Sequence, residues 1–231
     1  MNNETYEYKP LSLMFVEYKS GDLLGFILAW ITMLPILYAV SIFTIIIIRR
    51  DLTTILYFIG FLITELVNFV LKNLIKQPRP YLNEHRSKGN FSKYGMPSDH
   101  SQVMFYFSTF FVLMVAYRYY IYQSKLMQIL IKSFLCVLAI FAAILVAFSR
   151  VYLKYHTNEQ VIAGSLIGIF CGSIWFFFIN TIFSKYFHYI TTWKISEFLM
   201  IRDYTHIPNI LLFQYTAERN EASIRRKNKN N

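Results

Sequence analysis

Long apolar stretches alternate with short polar segments along most of the chain. A helix needs about 20 apolar residues to cross the hydrocarbon core of a bilayer, within a range of roughly 17–25. Five segments fit this requirement: residues 23–48, 52–71, 101–117, 129–148 and 160–182. The pattern therefore predicts an all-α fold, a polytopic membrane bundle of about five transmembrane helices, with four as the alternative.

The polar segments divide the chain into three parts: an N-terminal segment over 1–22, a membrane-embedded domain over 23–183 and a C-terminal tail over 184–231. The first part is polar through Asp22, so we expect no cleavable signal peptide and assign insertion to the first span. The apolar spacing of residues 186–213 allows an in-plane amphipathic helix. The last seven residues are too polar to pack.

The composition agrees with a membrane protein. Hydrophobic residues make up 55% of the chain and charged residues 16%, whereas soluble domains carry about a quarter charged residues. The net charge is +10, but the basic residues flank apolar runs, where lipid headgroups or phosphate would meet them. We therefore expect no nucleic-acid partner. The two cysteines, Cys136 and Cys171, lie inside apolar stretches, which indicates buried thiols rather than a disulfide framework.

Three polar motifs lie at the ends of the predicted helices. They are Lys72-x6-Arg79-Pro80, Pro97-Ser98-Asp99-His100 and Ser149-Arg150-x5-His156. Together they supply the cations, histidines and hydroxyls needed to hold a phosphate, attack it and protonate the leaving group. With five spans, the loops after the second and fourth spans lie on one side of the membrane. The motif side chains can therefore converge on one face.

Glu65, Asn68 and Lys72 fall on one face of the second span. A carboxylate at mid-span costs about 2.5–3.5 kcal/mol on insertion scales, so Glu65 needs a partner, and Lys72 or Asn68 is available. Two interpretations stay open. Glu65 either positions Lys72 or makes a structural polar contact between helices.

The second and third motifs also have ordinary interpretations. Ser98 can be the N-cap of the third span, where free N–H groups favour an anion, or it can simply cap a helix beside a surface histidine. Arg150 and His156 taken alone would be interfacial residues. Glu159, three residues after His156, can hold the imidazole ring, with Gln160 as a fallback.

The three motifs in this order resemble the type 2 phosphatidic acid phosphatase superfamily over residues 72–159. The resemblance implies that His156 is the nucleophile, that His100 protonates the leaving group and that no metal or other cofactor is required. It also implies that the phosphoryl oxygens are bound by Lys72, Arg79, Ser98 and Arg150. We expect a further set of residues to position these side chains without touching the substrate: Glu65, Asn68, Pro80 and Ser149. We expect Glu159 to assist His156.

Two positions depart from the superfamily's usual motifs. Asp99 stands where glycine commonly precedes the histidine, and an acid beside a phosphate is repulsive unless it points away. Glu159 stands where the third motif commonly ends in aspartate, and its longer side chain must still reach His156 to assist it.

A narrower resemblance extends over nearly the whole chain, to the dolichyl diphosphatases of the endoplasmic reticulum. Segments 16–22, 93–98, 149–153 and 196–203 carry it. It implies hydrolysis of a polyisoprenyl diphosphate, dolichyl diphosphate, which recycles the lipid carrier of protein N-glycosylation. One alternative is a lipid phosphate phosphatase acting on phosphatidate or a sphingoid phosphate. Another is a non-catalytic lipid transporter or scaffold.

The distribution of basic residues predicts the orientation. Residues 49–50, 118–132 and the tail are basic, which places them in the cytosol and the N-terminal segment and motif loops in the lumen. Lys227 and Lys229 resemble a dilysine retrieval signal, which implies a coat partner in the cytosol. Asn90-Phe91-Ser92 is an N-glycosylation acceptor by sequence.

Overall fold

The computed structural model describes residues 8–11, 16–80, 94–120, 124–207 and 209–230. An antiparallel hairpin of β1 and β2 precedes a series of helices. The strands are β1 (Tyr8–Leu11) and β2 (Val16–Lys19), and the helices are α1 (Leu23–Ile31), α2 (Leu34–Arg49), α3 (Leu52–Ile75), α4 (Asp99–Tyr117), α5 (Lys125–Tyr152), α6 (Asn158–Thr181), α7 (Phe187–Thr191), α8 (Lys194–Phe198) and α9 (Ile210–Asn230).

Five helical segments are long and apolar enough to cross a bilayer, and the predicted fold class is confirmed. They are Leu23–Arg49, Leu52–Ile75, Asp99–Tyr117, Lys125–Tyr152 and Asn158–Thr191. The first is interrupted between α1 and α2, where Pro35 falls in the first turn of α2 and so displaces no helical hydrogen bond. The fourth begins four residues earlier than its apolar pattern predicts, because the helix also takes in residues 125–128, which begin and end with a polar residue.

The centre of the bundle is the pair α4 and α6. Gly164, Gly168 and Gly172 recur every four residues on the face of α6 that meets α4. A Cβ atom at Gly164 would overlap the backbone oxygen of Ser98, and one at Gly172 would lie 3.0 Å from the backbone oxygen of Tyr106. Small residues at this spacing let membrane helices approach closely. We name this contact the glycine ladder.

The outward faces of α2, α3 and α5 carry apolar side chains. Examples are Ile47, Phe69, Leu74, Phe134 and Val137, which are all exposed. Exposing so much apolar surface to water would be costly. These faces therefore suit contact with lipid.

The N-terminal hairpin has no clear counterpart in the apolar pattern. β2 packs against α1, and the Glu17 amide donates to the Tyr155 hydroxyl at 2.9 Å. Residues 1–7 and the acceptor Asn90 lie outside the described residues.

The tail does not form one continuous helix over 186–213, where the apolar spacing allowed an in-plane amphipathic helix. Two short helices, α7 and α8, are followed by a stretch that pairs with the turn between α2 and α3. In this pairing Arg202 N donates to Arg50 O at 2.8 Å, and Leu52 N donates to Arg202 O at 3.1 Å. Because this stretch bonds through its backbone to another segment, it cannot continue a helix. The long helix, α9, begins only at Ile210 and is largely exposed.

Candidate active site

The first motif supplies two cations at the end of α3. Lys72 lies in the last turn of the helix and interacts electrostatically with Asp99, Arg79, Glu65 and Arg150. The backbone next to Arg79 is held because Pro78 bridges Tyr94. The loop therefore returns beside its own start, and the two cations lie at the same site as the third-motif arginine.

The second motif opens α4. Ser98 is the N-cap of this helix, as predicted. It is fully buried, its N–H donates to Gln160 O at 2.9 Å, and its hydroxyl accepts from Ser101 Oγ at 3.2 Å. His100 follows in the first turn, with 27% of its side chain exposed. The N-terminus of α4 and an accessible imidazole thus face the same space.

Asp99 turns toward charged partners within the site. Its Oδ2 lies 3.7 Å from Nδ1 of His100, and its carboxyl group shares a hydrogen bond with Glu65. It also interacts with Lys72. The repulsion expected from an acid at this position is offset because a cation and an imidazole both face it.

The third motif places a buried arginine at the end of α5. Arg150 is 4% exposed, and its guanidinium lies 4.3 Å from the centre of the Tyr155 ring. Ser149 is fully buried. It donates to Val146 O at 2.7 Å and lies 2.7 Å from Thr32 Oγ1, so it joins α5 to the break between α1 and α2.

His156 stands between α5 and α6 and is 2% exposed. Its Nδ1 lies 2.9 Å from Gly95 O and 3.1 Å from Gln160 Oε1. Both oxygens can only accept a hydrogen bond, so Nδ1 carries the proton. The other nitrogen, Nε2, keeps its lone pair. Nε2 is buried and has no hydrogen-bond partner among the described residues.

The charge state of His156 follows from its surroundings. Burial lowers its pKa well below the ordinary value, and the cations Arg150 and Arg79 lower it further. The hydrogen bond to Gln160 opposes these effects, and His100 adds a smaller lowering. The ring is therefore a neutral imidazole at neutral pH, with Nε2 available for attack.

The expectation that Glu159 holds the His156 ring is wrong. Glu159 is exposed, and Gln160 takes its place. The reason is a capping box: Thr157 is the N-cap of α6, and the Gln160 side chain folds back to accept from the Thr157 amide at 3.3 Å. Glu159, one residue earlier, points away, where its charge suits the helix N-terminus.

Gln160 also fixes the first-motif loop. Its Nε2 donates to Pro78 O at 2.9 Å and to Gln77 Oε1 at 3.2 Å. Since a carbonyl oxygen can only accept, this contact determines which end of the amide faces His156. One fully buried side chain thus joins the imidazole to the loop that carries Arg79.

The supporting residues fall into two groups. Glu65 shares a hydrogen bond with Asp99, which joins α3 to α4, and interacts electrostatically with Lys72. Asn68 does not pair with Lys72. It donates to Gln102 Oε1 at 2.8 Å and Pro97 O at 3.5 Å, and so holds the entry to α4. Pro80 is exposed at the bend that ends the described part of this loop.

Sequence reasoning missed Gly95, Tyr155 and Gln102 and gave Gln160 only second place. The Thr-x-x-Gln spacing of the capping box was a readable signal for Gln160. Gly95 and Gln102 act through contacts between segments far apart in the chain, which periodicity does not reveal.

Known proteins match both the motifs and the helical arrangement. The family model described as the PAP2 superfamily matches residues 53–184, which is more than half of the chain. The chain belongs to the PAP2 superfamily. This confirms the family suggested by the motifs and the expectation of a phosphatase.

Individual PAP2 relatives match over most of their lengths. "Dolichyldiphosphatase 1" of Callithrix jacchus is 40% identical over 221 residues, which cover 95% of this chain and 92% of that protein. "Lipid phosphate phosphatase gamma" of Arabidopsis thaliana is 33% identical over 218 residues, covering 92% of each. A PAP2-type phosphatidylglycerolphosphate phosphatase from Bacillus subtilis shares the fold, with a TM-score of 0.55 and 23% identity over 69% of this chain and 78% of that one.

Proposed function

We propose that the protein hydrolyses dolichyl diphosphate to dolichyl phosphate and phosphate through a phosphohistidine formed on His156. One observation carries the mechanism: Nδ1 of His156 is bonded to two acceptors while the buried Nε2 has no partner among the described residues. A histidine held in this way is a neutral nucleophile aimed in one direction.

In the first step Nε2 of His156 attacks the terminal phosphorus of the diphosphate. A P–N bond forms, and the bond from phosphorus to the bridging oxygen breaks. His100 gives a proton to the departing oxygen, and the carboxylate of Asp99, 3.7 Å from Nδ1 of this ring, can orient the imidazole for the transfer. In the second step water attacks the phosphohistidine, His100 takes its proton, and the P–N bond breaks to release phosphate.

The cations stabilise the charge that builds up on the phosphoryl oxygens. Lys72, Arg79 and Arg150 interact with one another or with the histidines, so they surround one phosphoryl group. Ser98 completes this set once its hydroxyl turns from Ser101 toward the substrate. These fixed positive groups supply the electrostatic stabilisation, so the proposed reaction uses no metal ion.

The choice of dolichyl diphosphate rests on the relatives. The match to the mammalian protein named dolichyldiphosphatase covers 95% of this chain and so extends well beyond the motifs. The same phosphoryl site would also serve phosphatidate, and the plant relative is named a lipid phosphate phosphatase. The two substrates therefore have to be separated by experiment.

The location follows from the same proposal. Dolichyl diphosphate is released where glycans are transferred, so the site faces the lumen of the endoplasmic reticulum and recycles the carrier lipid for N-glycosylation. The charge distribution of the loops supports this orientation, with the tail in the cytosol. Lys227 and Lys229 lie near the exposed end of α9, where a retrieval coat could reach them.

The test is phosphate release by the purified protein from dolichyl diphosphate, dolichyl phosphate and phosphatidate, each with and without a metal chelator. We expect the highest kcat/KM on dolichyl diphosphate and no effect of the chelator. Faster turnover of phosphatidate would assign the protein to the lipid phosphate phosphatases. Loss of activity on chelation would contradict the metal-free mechanism.

The intermediate is tested with substrate labelled in its terminal phosphate. Rapid acid-free quenching should trap one acid-labile label per wild-type protein, and none in His156→Ala. Glu159→Gln, an exposed carboxylate three residues away, is the matched control and should trap label like the wild type. Label in His156→Ala would move the nucleophile elsewhere.

A further inference from the structure

A second cavity lies at the end of the bundle opposite the two histidines. Its volume is about 240 Å³, and the ends of α2 and α4, the start of α3 and the tail line it. Helix α4 separates it from the active site, since His100 stands in the first turn and Tyr117 at the last residue lines the cavity. A 19-residue helix is roughly 28 Å long. The cavity is thus distinct from the active site.

The lining of this cavity is cationic. Arg49, Arg118 and the imidazole of His206 border it. One carboxylate, Asp51, is present among the described lining residues. It lies 4.0 Å from Nε of Arg49 and also accepts from the amide and hydroxyl of Thr54 at 2.9 Å, so it offsets one of the two guanidinium charges and the lining keeps a net positive charge. An anion would be attracted here.

Polar atoms in the lining lack partners within the described part of the chain. Nε of Arg49 and Oγ1 of Thr205 are both buried without a hydrogen bond there. Buried polar groups are normally paired, so two unmet atoms at one cavity indicate a group that can accept from them. The lining residue Tyr119 adds a second hydroxyl. Burial and Asp51 raise its pKa, so it stays a neutral donor.

A helix terminus borders the same space. Ile210, the first residue of α9, lines the cavity, and α9 is 21 residues long. The N-terminus of a helix carries partial positive charge and suits an anion. Leu211 and Phe213 in this first turn are exposed and apolar.

We propose that this cavity binds a phosphate group on the face opposite the active site, carried by a membrane lipid headgroup or free in solution. Guanidinium groups and hydroxyl donors are the usual partners of phosphate oxygens. The cavity is smaller than the roughly 300–1,000 Å³ of sites that enclose whole drug-sized ligands, so it fits a headgroup rather than an entire lipid. The bound phosphate would join the tail to the ends of α2 and α4.

The test counts bound ligands on the purified full-length protein by native mass spectrometry. The probe is a dioctanoyl phosphonate analogue of phosphatidate, which the enzyme cannot hydrolyse. We expect two equivalents on the wild type, one at each site, and one on Arg49→Gln/Arg118→Gln. Lys125→Gln removes a cation on the same face outside the cavity and should keep two.

Added inorganic phosphate distinguishes the sources. If it displaces the second equivalent, free phosphate is sufficient, and if it does not, the lipid headgroup is the ligand. Because Arg49 also faces Asp51 at 4.0 Å, its replacement could disturb the turn. Arg118→Gln alone is therefore a second variant. We expect it to lower the affinity for the second equivalent of the probe at least fivefold, while phosphate release stays at the wild-type rate.

Three results would overturn the proposal. The wild type could bind a single equivalent, both variants could retain two, or dioctanoylglycerol, which has no phosphate group, could fill the second site as well as the phosphonate does.

Discussion

Gln160 Oε1 lies 3.1 Å from His156 Nδ1, and Nε2 of the same side chain donates a hydrogen bond to Pro78 O at 2.9 Å. One amide therefore sets both the tautomer of the imidazole and the position of the first-motif loop. We predict that Gln160→Ala lowers kcat on the order of 10- to 100-fold, by analogy with the groups that orient metal-binding histidines. Glu159→Gln should leave kcat near the wild-type value. Equal effects of the two changes would contradict this assignment.

The pH dependence should report the low pKa of His156. Protonation removes the lone pair, so kcat/KM falls as the pH drops below that pKa. Burial, Arg150 and Arg79 lower the pKa, so the acidic limb should lie well below the ordinary histidine value of about 6.5. Arg79→Gln removes one cation, which raises the pKa and should move the limb to higher pH.

Arg50→Gln provides the control for this shift, because Arg50 lies at the opposite end of the bundle and bonds Leu199 O. The acidic limb of the kcat/KM profile of Arg50→Gln should coincide with that of the wild type. An acidic limb at or above pH 6.5 in all three proteins would argue against a neutral buried His156.

The role of His100 can be tested by changing the leaving group. A general acid contributes about 10²–10⁴-fold when the leaving oxygen is strongly basic. We therefore expect His100→Ala to slow the hydrolysis of an alkyl phosphate far more than that of p-nitrophenyl phosphate, measured as kcat/KM. A loss of the same size on both substrates would point instead to a binding role.

The glycine ladder predicts different effects along α6. Gly164→Ala would place a Cβ atom against Ser98 O and displace the N-cap of α4. We expect reduced kcat together with destabilisation of about 1–3 kcal/mol. In Gly172→Ala the added Cβ atom would lie 3.0 Å from Tyr106 O. This position is farther along α6 from the site than Gly164 is. Gly172→Ala should lower the melting temperature with little change in kcat. Full activity of Gly164→Ala would contradict the prediction that this position holds the N-cap of α4 in place.

Sidedness can be tested with glycosylation acceptors. An acceptor placed in the loop between α3 and α4 should be modified, and one appended after Asn231 should not, because the loop charges predict a lumenal site and a cytosolic tail. The readout is an endoglycosidase-sensitive mass shift. Modification of the appended acceptor alone would reverse the orientation.

Much of the site could be predicted from the sequence. Counting spans was enough to place Lys72, Arg79, His100, Arg150 and His156 on one face, since an even number of crossings separates the two motif loops. The helix N-cap at Ser98 was also readable, because the residue types that cap helices are few.

The remaining contacts depend on how helices pack. Asn68 shares a helix face with Lys72 in sequence, yet it bonds Gln102 on a neighbouring helix. The choice between Glu159 and Gln160 was decided by the capping geometry of a single turn. The cationic cavity combines Arg49, Arg118 and Thr205, and no local pattern joins positions so far apart in the chain.

The glycine ladder has a consequence for work in membranes of different thickness. His100 begins α4, and His156 lies two residues before α6, so the two histidines ride on the pair of helices held by backbone-to-backbone contact. The outer helices present the apolar side chains that lipids touch. Those helices can tilt when the bilayer thins or thickens, whereas close packing holds α4 and α6 together. We therefore expect the spacing of the two histidines to change little between bilayers of different thickness.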